Sequence, residues 1–254
     1  FADLRHDITS GNGYGAVALC GNMTSDILVS GCSFVELPLT NAMQFMTTNT
    51  VIENNYVRKP GRLALWNTFR NCQIRNNVIL DVLGSHADAI ALFLGSTDTA
   101  VEYNVILNSS YPVCVGDEGT DNITVAYNLL HCSDHYAFGM FSDATNIYLY
   151  NNILLRDDDM LTIQEDDPIT ELKNNIVIAR PANASLTPDA NKNLWITHAM
   201  ASSVFVDPAS GDFHLKTGSP AINAGVNLGY SHDLEGNTVP QGIAPDIGCY
   251  EYDE

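Results

Sequence analysis

"YLYNNILL", Tyr148–Leu155, sets two adjacent asparagines inside an otherwise apolar and aromatic run. Asparagine suits neither helix nor strand interiors, because its side chain competes for backbone hydrogen bonds. Close variants return in "VIENNYV", "QIRNNVIL", "AVEYNVIL", "TVAYNLL" and "ELKNNIVI", with the second asparagine at Asn55, Asn77, Asn104, Asn128, Asn152 and Asn175. The steps are 22, 27, 24, 24 and 23 residues, and "LVSGCSFV" continues the frame one step earlier with Cys32 in the asparagine place. A period of this length marks a chain built from repeated structural units.

Each repeat carries a second apolar segment about ten residues later: "NAMQFMTTN", "GRLALWNT", "ADAIALFLG", "YPVCVGDEG", "YAFGMFSD" and "DMLTIQEDD". The segments are short and alternate, and no 3.6-residue stripe persists, so they read as strands and not as a helical solenoid. Short strands joined by tight corners and stacked ~4.8 Å apart form a parallel β-helix. The sequence therefore predicts an all-β, single-stranded parallel β-helix of about seven to eight coils over residues 1–180, right-handed by the usual crossover rule. Residues 181–254 form a C-terminal coil and capping segment on the same solenoid. An asparagine at a coil corner tolerates left-handed backbone, and pointing inward it can pair with its counterparts one coil above and below.

Lys and Arg number 11 against 30 Asp and Glu, a formal charge of −19. That balance argues against a broad basic face for nucleic acid or anionic membrane. No apolar run approaches the ~20 residues needed to span a bilayer. Cysteines stand at 20, 32, 72, 114, 132 and 249 with no metal-type spacing, and six cysteines select no single pairing. The chain opens on Phe, which reads as a mature or trimmed product. Sequons occur at Asn22, Asn108, Asn122 and Asn183, usable only in a host that glycosylates.

Taken together, the "xNNxI" coils resemble the right-handed parallel β-helix proteins of the pectate-lyase-like superfamily. The tail carries the resemblance further: "DFHLKTGSPAINAG" from Asp212 and "DLEGNTVPQGIAPDIGCYEY" from Asp233 look like the "SPAIDAG", "D-x-x-G" and "PDIGAYE" closing elements of many secreted bacterial members. Asn223 stands where that pattern usually has Asp, Cys249 where it has Ala, and Val239 where Arg is common. The resemblance implies a secreted or surface location and a polysaccharide partner bound along the outer face of one parallel sheet. It does not choose among lyases, hydrolases, epimerases and non-catalytic surface proteins, which share the fold.

Alternation in the second segments points Leu63, Leu65, Ile90, Leu92, Val113, Val115, Phe138, Met140, Leu161 and Ile163 inward. The outward set is then Ala64, Trp66, Ala91, Phe93, Cys114, Gly116, Gly139, Phe141, Thr162 and Gln164. Trp66, Phe93 and Phe141 make a sugar-stacking shelf, either open or covered by a loop or the tail. Ionisable residues flank these strands: Lys59, Arg62, His86, Asp88, Asp134 and His135 before them, and Asp117, Glu118, Asp143, Glu165, Asp166 and Asp167 after them. "SHADAIALF" resembles the "H-x-D-G-I" strand start of several β-helix carbohydrate enzymes, with Ala89 in place of Gly.

His86 and Asp88 with Arg62 are the catalytic candidates; Trp66, Phe93, Phe141, Lys59, His135 and Tyr136 are the substrate contacts. A uronan lyase needs a base for the C5 proton and a positive partner for the carboxylate, whereas a hydrolase needs two carboxylates. Asp117, Glu118 and Asp143 supply the oxygen ligands that Ca²⁺, the one cofactor suggested, prefers. A plainer account has Asp88 capping a turn, Arg62 pairing with it and "VGDEGTDN" as a solvated loop. Two functions remain open: a polysaccharide lyase or related uronan-modifying enzyme, and a non-catalytic surface, adhesive or filament-forming scaffold. For the second, end-to-end self-association or a missing N-terminal domain is the expected partnership.

Overall fold

The computed structural model describes residues 17–37, 41–83, 87–158, 160, 162–166, 168–178 and 184–253. Each coil lays one strand on each of three faces. The first face stacks Met43–Thr48, Leu65–Arg70, Asp88–Leu92, Tyr111–Val115, Phe138–Met140 and Ile163–Glu165 in parallel register. The second holds Val51–Glu53, Gln73–Arg75, Thr97–Glu102, Asp121–Ala126, Thr145–Tyr150 and Glu171–Lys173. The third runs from Ser33–Leu37 through Tyr56–Pro60, Val78–Val82, Val105–Ser109, Leu129–Cys132, Ile153–Arg156 and Ile176–Ile178 to Leu194–Ile196. Six steps separate Ser33–Leu37 from Ile176–Ile178, so the solenoid makes about six turns, slightly fewer than the repeat suggests. Beyond Ile178, among the described residues, Leu194–Ile196 is the strand that joins the stack, and Phe205–Asp207 pairs antiparallel with Asp212–Leu215 in a separate two-stranded sheet.

The interior is a column of Phe34, Phe45, Phe69, Phe138 and aliphatic side chains with no solvent exposure, and Phe45 meets Phe69 at 5.9 Å between ring centroids. One edge of it is polar. Asn55, Asn77, Asn104, Asn128, Asn152 and Asn175 are all buried, and Asn193 extends the column by a further coil. Each Nδ2 donates to the next Oδ1 at 2.9–3.1 Å. It also donates to a carbonyl of the preceding coil, as Asn77 does to Ile52 and Asn104 to Ile74, both at 2.9 Å. Every buried amide is thus satisfied, which is the condition for keeping it in a core.

The doublet divides two roles that the sequence reading gave to one asparagine. The first residue takes the left-handed corner, with φ of 51–58° at Asn54, Asn76, Tyr103, Tyr127, Asn151 and Asn174. The second turns inward and joins the ladder. Tyrosine is an uncommon occupant of this conformation. Here Tyr103 and Tyr127 stack at 5.6 Å, and the C-terminal tail adds His232 over Tyr103 at 4.5 Å and Tyr230 against Tyr127 at 5.0 Å.

The C-terminal tail packs on the same solenoid, along the flank of the third face. Val204, Phe205, Ala221, Ile247 and Cys249 pack with Tyr127, Leu129, Ile153 and Ile176 in one buried cluster. Its motif carboxylates are structural. Asp233 accepts backbone N–H groups of Glu235, Asn237 and Glu251 at 2.8–2.9 Å. Asp246 accepts from Asn223 and Tyr252, and Glu251 from Gln241 and Asp246. Asn223, in the usual Asp place, accepts the N–H of Ala244 at 3.1 Å.

Candidate functional site

With the tail on the third face, the outer side of the first face carries the candidate site. Strand register aligns Trp66, Ala91, Cys114, Gly139 and Gln164 in one column across five coils. The pairing of Leu92, Val115 and Met140 puts Phe93, Gly116 and Phe141 in the next. Leu65, Ile90, Leu92, Val113, Val115, Phe138, Met140 and Ile163 face the core as alternation predicts. Two positions differ where the strand begins: Leu63 packs outside with Ala91 and Cys114, and Ala64 joins the core. Thr162, expected outward, is buried and donates its hydroxyl to the Ile178 carbonyl.

A cleft of about 310 Å³ opens here, lined by Arg62, Leu63, Trp66, Asp88, Phe93, Leu94 and Asp117. Five of these were selected from sequence, and they come from three successive coils. Arg62 is exposed and makes no ion pair with a described residue. Asp88 accepts a hydrogen bond from the Cys114 thiol in the floor, and burial, helped by the Asp88 charge, pushes that thiol well above its ordinary range. His86 lies outside the described residues, as do Leu161, Asp167 and the side chain of Glu165.

Phe141 is not in the cleft lining; it belongs to a ridge beside it. Phe93 meets Phe141 at 5.9 Å, Phe141 meets Tyr111 at 5.8 Å, and Tyr111 meets His135 at 5.2 Å and Tyr136 at 5.9 Å. Glycines make the ridge: a Cβ at Gly116 would lie 2.8 Å from Phe93 Cε1 and Phe141 Cβ, and one at Gly139 would lie 2.9 Å from Tyr111 Cδ1. Burial, then Tyr136, pushes the Tyr111 phenol up to about 12, so it is a neutral hydrogen-bond donor. Its hydroxyl lies 3.3 Å from Gln164 Oε1. Sequence reasoning missed Tyr111 because it shares the parity of Val113 and Val115, which point inward; the coil corner turns it out.

The remaining candidates disperse. Lys59 sits at the corner after Tyr56–Arg58 and lies 3.9 Å from Glu36, outside the cleft lining. His135 is exposed and pairs with Asp134 at 3.2 Å. Tyr136 lies under the guanidinium of Arg156 at 5.9 Å. Asp117, Glu118 and Asp143 are all exposed, and among the described residues no three His, Cys, Asp or Glu side chains gather as a cation-binding group. Cys32, Cys72, Cys114, Cys132 and Cys249 are free thiols.

A larger cavity, about 550 Å³, lies between the third face and the tail, where His131 meets Asp157 at 2.7 Å. Its walls are apolar at Leu107, Leu155, Ile178 and Ala201 and polar at His198 and Ser202. The smaller cleft is the better candidate, since it combines a cation that pairs with no described residue, two carboxylates and two aromatic rings. Compared with family models and with curated proteins, the sequence matches none.

Proposed function

We propose that the protein is carbohydrate-active and holds a uronic-acid-containing glycan in the first-face cleft, cleaving it by β-elimination. The observation that carries this is the convergence of Arg62, Trp66, Asp88, Phe93 and Asp117 from three coils on one cleft. Trp66 and Phe93 offer faces for the apolar side of a sugar ring. Arg62 offers a planar fork matched to a substrate carboxylate, and neutralising that carboxylate acidifies the adjacent C5 proton.

In the elimination a base takes the C5 proton, the released electron pair forms the C4–C5 double bond, and the bond from C4 to the bridging oxygen breaks. The departing oxygen then takes up a proton. Asp88 stands in the cleft as the base candidate, with His86 two residues before it in the chain. Arg62 takes the charge-neutralising role that the sequence reading shared with Ca²⁺.

A second reading, binding without turnover, draws support from the hydrogen bond that Asp88 already accepts from Cys114. Incubation with a panel of uronic-acid polymers, followed by ultraviolet absorbance of the unsaturated product, separates the two. Absorbance that rises with wild type and not with Arg62→Ala supports the lyase; binding with no absorbance change on any polymer leaves the scaffold.

A further inference from the structure

We propose that the cleft is blind along the solenoid axis and takes the end of a glycan chain or a short oligosaccharide, not the interior of a polymer. This rests on the carbohydrate reading above and specifies its substrate.

An extended polymer lying along the stack would have to pass from the coil of Trp66 over those of Phe93, Cys114 and Gly139. The ridge stands across that path. Phe93, Phe141, Tyr111 and Tyr136 touch in series, each ring 5.8–5.9 Å from the next. The Tyr111 side chain crosses from its own coil over Gly139 to reach Gln164 two coils on. Beneath it no space remains, as the 2.9 Å approach to a Cβ at Gly139 indicates, and the same holds under Phe93 and Phe141 at Gly116. The ridge therefore cannot flatten without moving backbone. What remains open lies between Arg62 and Asp88 at the strand starts and Leu94 and Asp117 at the strand ends. At about 310 Å³ it is at the lower limit of ligand pockets (~300–1,000 Å³), room for a single sugar ring or a pair.

The experiment is calorimetric titration of the whole chain with size-fractionated oligogalacturonates, oligomannuronates and oligoguluronates, from monomer to hexamer. The expected result is affinity that stops rising at the dimer in wild type and continues to rise, at least threefold, with the trimer and longer chains in Tyr111→Ala. Tyr111→Phe keeps the ring and is expected to keep the wild-type length profile. If Tyr111→Ala fails to fold, Phe141→Ala removes the neighbouring part of the same ridge. Wild-type affinity that climbs steadily to the hexamer would overturn the blind cleft and leave the carbohydrate reading standing. Absence of binding at every length would overturn both.

Discussion

Asn128 donates through Nδ2 to Asn152 Oδ1 at 3.0 Å, while its own Oδ1 receives Nδ2 of Asn104 at 3.0 Å and the Asn104 main-chain N–H at 2.8 Å. Truncating one rung therefore strands groups on the coil before it as well as its own carbonyl partners. Each stranded buried group costs about 1–3 kcal/mol. Asn128→Ala should lower stability by at least about 3 kcal/mol, and Asn128→Asp, which removes two donors and buries a charge, by no less. For a chain of this size each kcal/mol lowers the melting temperature by about 2–4 °C. Asn122→Gly, which breaks an exposed corner bond to Asp98 but suits the left-handed φ of 56°, should stay within about 0.5 kcal/mol. Thermal melts followed by circular dichroism check the contrast, and equal losses at 122 and 128 would refute the ladder as the stabilising element.

The cleft predicts a split between binding and folding. Trp66 is half-buried over Ala91 and Cys114, and Trp66→Ala should weaken oligouronate affinity about tenfold, ~1.4 kcal/mol. Arg62→Lys keeps the charge but loses the fork, so its affinity should fall between those of wild type and Arg62→Ala. Titration calorimetry beside a melting curve tests this. Unchanged affinity in Trp66→Ala would remove the cleft from consideration.

Much of this was readable in the sequence because it rests on period and parity. The asparagine frame gave the stacking, and alternation placed Trp66 and Phe93 outside and Ile90 and Val113 inside. Parity fails where strands begin: Leu63, Ala64, Tyr111 and Asp88 lie at corners, where backbone rotation resets which side faces out. The route of the tail had a signal that went unused. "YVRKP" alternates and has one exposed side, whereas "ILLR" and "IVI" are buried on both. Strands apolar on both faces need a second cover, and the tail supplies it over those coils, reaching Leu129, Val105 and Leu107 on earlier ones. The carboxylates are less legible: sequence proximity of Asp117 and Glu118 says nothing about the direction of either side chain around a left-handed corner, and Asp117 has φ of 68°.

Gly116 lets two rings close over one backbone position, and its replacement should be felt twice. A methyl group there would lie 2.8 Å from Phe93 Cε1 and Phe141 Cβ, so Gly116→Ala forces the rings apart or the strand down. Overpacking of this kind costs about 1–3 kcal/mol. Gly211→Ala, with no neighbour within 4 Å, meets only backbone strain from its φ of 83°. Denaturant midpoints give the stability loss at 116. The near-ultraviolet circular dichroism of the ridge should change at 116 and not at 211, and an unchanged spectrum at 116 would show that the rings do not pack as described.

Glu251 makes the tail sensitive to pH. It is buried and accepts N–H groups of Gln241 and Asp246 at 3.0 and 2.9 Å, yet burial, with the charges of Asp246 and Asp233, holds its carboxyl up to about 7 against an ordinary 4.5. The fold thus favours the protonated form. Its contribution is complete below about 4.5 and is lost as pH rises through about 7, a swing of at most about 3 kcal/mol. His214 acts in the same sense: burial lowers its pKa, but Asp212 at 2.6 Å and Glu235 at 3.1 Å outweigh that and raise it, so its ion pairs also weaken as pH rises. Stability should therefore fall between about pH 5 and about pH 8. Glu251→Gln should flatten most of that slope while His214→Gln removes a smaller part. Urea midpoints across this range decide it; a wild-type midpoint that rises with pH would show Glu251 to be an ordinary ionised carboxylate.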